Sequence, residues 1–182
     1  MKQKICSFIL RLIGWNYKIS VELPNKAVFC VAPHTSNWDL LLGELLYFAV
    51  GGKRKVSFFI KKEWFVFPLN YFFNFLGGIP VNRQKRSSLV DQMIDEFNSR
   101  DYFCLAVTPE ATRKPNPNWK RGFYYIAKGA NVPIILVYLD YSKKMAGVEQ
   151  IFVPTDDEDA DIQFVKTYYT AFKGRYPENF AI

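Results

Sequence analysis

Ala27-Val28-Phe29-Cys30-Val31-Ala32, Val56-Ser57-Phe58-Phe59-Ile60, Phe103-Cys104-Leu105-Ala106-Val107 and Pro133-Ile134-Ile135-Leu136-Val137-Tyr138 are short, nearly unbroken apolar runs. A strand with one wet face alternates apolar and polar residues. A run without alternation needs cover on both faces, as buried parallel strands have. Between the runs the apolar spacing becomes helical. Leu89, Val90, Met93, Ile94 and Phe97 follow Ser88-x-x-Asp91, a capping-box pattern, and Phe123, Ile126 and Ala127 continue from Trp119. Ile162, Val165, Tyr169 and Phe172 mark a C-terminal helix, and the acids at 156–161 sit where its dipole favours them. Strands alternating with helices predict an α/β fold: a mostly parallel central sheet flanked by helices on both faces, with sites at the carboxyl ends of strands. With 182 residues and neither repeat nor linker, residues 1–182 are expected to form a single domain.

The first run leads directly into Pro33-His34-Thr35-Ser36-Asn37-Trp38-Asp39, which holds the only histidine of the chain. Imidazole can take up and return a proton near neutrality, so His34 is a candidate catalytic base and Asp39 its orienter. On one continuous helix, five residues at ~3.6 per turn would point the two side chains about 140° apart. They meet only if His34 lies in a strand-end loop and Asp39 in the first turn of the next helix. Pro33, and Ser36 or Asn37 as a cap before Leu40-Leu41-Leu42, allow that arrangement. The plainer alternative is that Ser36-x-x-Asp39 is a capping box and His34 an ordinary turn residue.

Aromatic residues are 18% and hydrophobic residues 49% of the chain, so it is no disordered segment. The net charge is +7, and five of the 17 acidic residues fall between 156 and 161, leaving 24 basic against 12 acidic residues elsewhere. A body this basic expects anionic partners: membrane headgroups, phosphorylated substrates, acidic carrier proteins or nucleic acid. Nucleic acid is disfavoured because the aromatics lie in apolar runs, not interleaved with exposed basic residues, Lys53-Arg54-Lys55 notwithstanding. Cys6, Cys30 and Cys104 show neither a disulfide framework nor metal-ligand spacing, and no metal site is expected.

Two segments bear on membranes. Ile5, Phe8, Ile9, Leu12 and Ile13 fall on one helical face, predicting an amphipathic helix within residues 1–16 that either lies in a membrane interface or docks on the core. Arg11 interrupts the apolar stretch and no small-x-small site follows, so a signal peptide is not expected. Trp64 to Asn82 carries no charge, but Pro68, Pro80, Asn70, Asn74 and Gly77-Gly78 break it as a membrane span. Seven of the twelve residues from Trp64 to Phe75 are aromatic, which predicts a short aromatic helix, then a turn and a strand. That helix serves either as core or as a membrane or lipid contact.

Two further blocks stand near strands. Gly77-Gly78-Ile79-Pro80-Val81-Asn82-Arg83 joins a tight turn to an arginine able to clamp a phosphate, and Thr108-Pro109-Glu110-Ala111-Thr112-Arg113 gathers a carboxylate, a hydroxyl and another arginine. His34-x-x-x-x-Asp39, then Gly78 to Arg83, then Pro109 to Arg113, then Val132-Pro133-Ile134 resembles the four-block pattern of the glycerolipid and lysophospholipid acyltransferase family. Lys61-Lys62-Glu63-Trp64 followed by Pro68 is similar to a basic segment that family carries between its first two blocks. The resemblance spans roughly residues 26 to 138.

It implies an O-acyltransferase moving a fatty acyl group from an acyl-CoA or acyl carrier protein thioester to a lysophospholipid hydroxyl, most simply that of 1-acylglycerol-3-phosphate. His34 would deprotonate the acceptor, with Asp39 holding the imidazole. Arg83, helped by Arg113, would bind the acceptor phosphate, and Lys61 belongs to the basic substrate-binding segment. Glu110 and Thr112 would position the acceptor head; apart from the resemblance, backbone N–H groups in the Gly78 turn are candidate oxyanion donors. Such chemistry needs a base and oxyanion donors but no organic cofactor or metal. The expected location is the cytoplasmic face of the cell membrane, peripheral or monotopic, on an anionic surface. A different lysolipid acceptor, or a non-catalytic lipid-binding relative, is the alternative. Ala111 stands where the family usually has glycine, so a positive φ there would strain its methyl group.

Overall fold

The computed structural model describes residues 2–52, 56–81 and 86–182, so Lys53, Arg54, Lys55, Asn82 and Arg83 lie outside the described residues. Seven strands form one sheet: β1 (Asn16–Ile19), β2 (Lys26–Ala32), β3 (Ser57–Lys61), β4 (Gly78–Val81), β5 (Phe103–Val107), β6 (Ile134–Asp140) and β7 (Met145–Phe152). Their order is β1-β7-β6-β2-β5-β3-β4, parallel throughout except where β6 meets β7. The helices are α1 (Lys2–Leu12), α2 (Trp38–Ala49), α3 (Leu69–Leu76), α4 (Arg86–Ser99), α5 (Gly122–Gly129) and α6 (Glu158–Tyr169).

Successive residues of the central strands feed two different cores, which explains their unbroken apolarity. Val28, Cys30, Leu105, Ile134 and Leu136 pack with Met93 and Phe97 of α4, Phe123 and Ile126 of α5, and Ile162 and Val165 of α6. Ala27, Phe29, Cys104, Ile135 and Val137 pack on the other face with Leu10 of α1 and Leu42 and Leu46 of α2. Cys30 and Cys104 are therefore small core residues, one in each layer, and burial pushes both thiols up.

Connections leading from β2 to β3 run toward the β4 edge through α2, whereas the connection from β5 to β6 runs back through α5 on the opposite face. The neighbours β2 and β5 thus part company at their carboxyl ends. In an open α/β sheet that divergence opens the crevice where ligands bind.

One expectation is corrected, two strands are added, and two helices form as predicted. Ser88 lies inside α4 rather than at its start. The edge strands β1 and β7 were not anticipated. α1 forms as predicted but docks through Cys6 and Leu10, so Ile5, Phe8, Leu12 and Ile13 of its apolar stripe face outward. α3 also forms, and none of its residues is buried; Phe67 just before it is 81% exposed. α3 rides over β4 on the α2 side: a Cβ on Gly78 would come 2.6 Å from Ile60 and 3.1 Å from the Phe73 carbonyl. Gly78 is a close-approach glycine, and its lack of a side chain serves packing. Among the described residues, no helix is long and apolar enough to cross a membrane.

Candidate functional site

Three adjacent strands deliver the site. β2 ends at Ala32 and the chain passes through Pro33 to His34; α2 then begins at Trp38 with Asp39 in its first turn. His34 Nδ1 lies 3.2 Å from Asp39 Oδ2. At that distance the two groups are in contact without a well-aligned N–H···O bond, as orienting pairs commonly are before substrate closes around them. Because a carboxylate only accepts, Nδ1 is assigned the proton from its partner, which leaves Nε2 with a free lone pair.

Asp39 is 2% exposed. Its Oδ2 accepts the Thr35 and Ser36 backbone N–H groups at 2.9 and 2.8 Å, and its Oδ1 accepts the Tyr141 hydroxyl at 2.6 Å. The carboxylate-to-Ser36 bond is half of a capping box, so the capping alternative is realised in part. The other half is absent: Ser36 Oγ accepts from Trp38 N at 3.2 Å, and Asn37, at the cap position, makes no side-chain capping bond. Capping and the His34 contact use the same carboxylate.

From β5, next to β2, comes Glu110. Its Oε1 accepts the His34 backbone N–H at 2.8 Å, and its Oε2 is buried with no hydrogen-bond partner among the described residues. The loop carrying it is pinned by Asn116 Nδ2 on the Glu110 carbonyl at 2.9 Å and by Lys120 N on the Pro109 carbonyl at 2.7 Å. Burial pushes the Glu110 carboxyl up to about 7; the His34 N–H bond opposes the rise and the Asp39 charge adds to it.

Ala111 adopts φ 54°, the left-handed conformation in which its methyl group is strained. Thr112 Oγ1 accepts from Lys114 N at 3.2 Å within its own loop. Exposed Arg113 donates through Nη1 to Asn37 Oδ1, which ties the third block to the start of α2. Gly78 does not join this group: three strand spacings of ~4.8 Å put β4 about 14 Å from β2, and Gly78 opens β4 level with Phe58, before β3 ends at Lys61 and β4 at Val81. Lys61 closes β3 at that end of the sheet. Arg83 lies outside the described residues.

Residues beyond the recognised blocks also reach the site. Tyr141 follows β6, the other neighbour of β2. Past α6, Tyr176 N donates to Thr35 Oγ1 at 3.2 Å, and the Arg175 guanidinium lies 5.8 Å from the Trp38 ring centroid. Nothing in the local sequence around Tyr141 or Arg175 announces this, because both arrive through the sheet order and the return of the C-terminal segment.

The sequence model of the family described as Acyltransferase matches residues 16–140. The chain belongs to the acyltransferase family. No curated protein and no solved structure matches it. The matched segment of this acyltransferase begins at β1 and ends with β6, so it contains His34, Asp39, Glu110 and Arg113 and stops one residue before Tyr141. Among the described residues no three His, Cys, Asp or Glu side chains gather as a metal site would require.

Two predictions follow from the Glu110 loop. Between its ordinary value of 4.5 and about 7, the folded acyltransferase keeps a proton on Glu110 that the unfolded chain has released. Stability therefore falls as pH rises through that window and levels above it. Glu110→Gln keeps an acceptor for His34 N–H and cannot ionise. Its unfolding free energy relative to wild type, from urea titrations at several pH values, should grow from pH 4.5 to 7 and then stay constant; a flat difference contradicts the assignment. Ala111→Gly should relieve about 1 kcal/mol of backbone strain net of the entropy glycine adds to the unfolded chain, raising Tm by about 2–4 °C.

Proposed function

We propose that this acyltransferase is an O-acyltransferase carrying a fatty acyl group from an acyl-CoA or acyl carrier protein thioester to the hydroxyl of a lysophospholipid, with 1-acylglycerol-3-phosphate as the acceptor. The observation that carries this reading is the only histidine, turned by a buried Asp39 at the carboxyl end of β2 inside the matched family segment. His34 Nε2 takes the acceptor hydroxyl proton as the acceptor oxygen bonds to the thioester carbonyl carbon. The tetrahedral oxyanion then collapses, the C–S bond breaks, and the departing sulfur takes the proton from His34. An ester and a free thiol result, and the base is restored.

The acceptor assignment rests on charge and on Glu110. Arg113 sits beside Asn37 at the start of α2, and Arg83 joins it in the family pattern. Two guanidiniums suit a phosphate monoester, because charge-assisted bonds are roughly twice as strong as neutral ones. Glu110 Oε2, without a partner among the described residues and on a carboxyl raised to about 7, supports a polar group of the acceptor as its partner. Incubating purified protein with labelled acyl thioesters and a panel of lysolipids tests the reading by product analysis. Lysophosphatidic acid should be acylated. Arg83→Ala or Arg113→Ala should raise its KM far more than that of the thioester, and lysine at either position should restore only part of the loss. Acylation of a phosphate-free acceptor, with unchanged KM in both variants, contradicts it.

Membrane association is proposed through the face that carries α1, α2 and α3. Phe8 and Leu12 of α1, Trp38, Leu40 and Leu41 of α2, and Trp64, Phe67, Tyr71, Phe72 and Phe75 around α3 are all exposed there. Within that segment Phe67 packs on Tyr71 at 6.2 Å and Phe65 on Phe73 at 5.7 Å. A basic body with such a face fits a peripheral protein on an anionic surface. Binding should favour anionic vesicles, weaken with salt, and drop in the double variant Phe8→Ser, Phe67→Ser. Protein that resists carbonate and high-salt washing of membranes and leaves only with detergent contradicts peripheral attachment.

A further inference from the structure

Asp39 presents two oxygens, and their occupants differ in kind. Oδ2 takes the Thr35 and Ser36 amides and faces His34 Nδ1, all from the loop that the carboxylate itself closes. Oδ1 has a partner from elsewhere, the Tyr141 hydroxyl at 2.6 Å, across 102 residues of chain. Without a donor on Oδ1 only the two amides on Oδ2 resist rotation about the Cβ–Cγ bond, since a terminal sp³–sp² torsion is broad and offers no well of its own. Rotation would turn Oδ2 away from the imidazole.

Tyr141 is itself fixed from three sides. It follows the last residue of β6, a strand paired with β2. Its N–H donates to the Lys173 carbonyl at 2.9 Å, and its ring stands edge-on to Trp15 at 4.9 Å and 88°. Burial and the neighbouring Asp39 both push the phenol upward, so it remains a donor at any working pH. The segment that holds Tyr141 also holds the His34 loop. Gly174 is buried where a Cβ would come 2.6 Å from Thr35 Oγ1, and Tyr176 N reaches that same hydroxyl.

We propose that Tyr141 is a positioning residue of this acyltransferase, its hydroxyl locking the Asp39 carboxylate so that Oδ2 holds His34 in the Nδ1–H tautomer. The proposal rests on the reading of His34 as the base. Tyr141 and the 173–176 segment that braces it lie outside residues 16–140, so the acyltransferase segment is completed by chain beyond its matched limits.

Because His34 is the only histidine, imidazole nitrogen resonances of ¹⁵N-labelled protein report on it without assignment. In the neutral state, the wild type should show predominantly the Nδ1–H tautomer. Tyr141→Phe should shift the population toward Nε2–H and lower kcat by about 10- to 100-fold, the range typical when a partner orienting a functional side chain is removed, with both KM values within about twofold. Trp15→Leu removes the ring contact but leaves the hydroxyl. It should lower Tm while keeping the wild-type tautomer ratio, which separates packing from positioning. An unshifted tautomer in folded Tyr141→Phe, or an equal shift in Trp15→Leu, overturns the proposal. A shifted tautomer confined to Tyr141→Phe, in a protein whose wild type transfers no acyl group, upholds the positioning geometry and overturns instead the catalytic reading on which it rests.

Discussion

A carboxylate removed from water must be compensated by hydrogen bonds or charge, because its desolvation costs several kcal/mol even after relaxation. Asp39 meets that requirement with two amides of its own loop, a tyrosine hydroxyl from the far side of β2, and the imidazole of His34. The local geometry of residues 33–39 and the pairing of β2 with β6 are therefore one problem solved together. Glu110 is the contrasting case: with one amide and no second partner among the described residues, it keeps its proton toward neutrality. The two buried carboxyls thus differ in surroundings: Asp39, in the first turn of α2, is ringed by donors, whereas Glu110, in the loop after β5, is a group able to donate.

Much of this was legible in the sequence where a residue answers to its immediate neighbours. The unbroken runs at β2, β5 and β6 read as doubly covered strands because alternate residues serve two cores. The His34–Asp39 meeting was legible because five residues cannot bring the pair together on one helix, which left a loop and a first turn as the solution. Ala111 was legible as a place where either the methyl group is strained or the loop differs, and its φ of 54° decides for strain.

What was illegible depends on contacts across the sheet. β7 contains Glu149 and Gln150, which break the apolar pattern; Glu149 is matched by Tyr138 Oη and Lys18 Nζ from the strands on either side. Gly78 read as a backbone donor near a substrate because a glycine pair looks alike whether it admits a ligand or a helix, and here it admits α3. The stripe on α1 predicted a helix correctly, but periodicity could not say that Cys6 and Leu10 would take the core side and leave Phe8 and Leu12 outside. Tyr141 carried no signal at all, since its role exists only once β6 lies beside β2.

The central claim is that His34, oriented by Asp39, is the base of an acyl transfer. Single-turnover transfer from a labelled acyl thioester, measured for wild type, His34→Ala and Asp39→Asn with circular dichroism confirming the fold, tests it most directly. A positioned base is worth roughly 10²- to 10⁴-fold in rate, so His34→Ala should lose activity on that scale and Asp39→Asn should fall between it and wild type. Near wild-type turnover by folded His34→Ala protein would contradict the account.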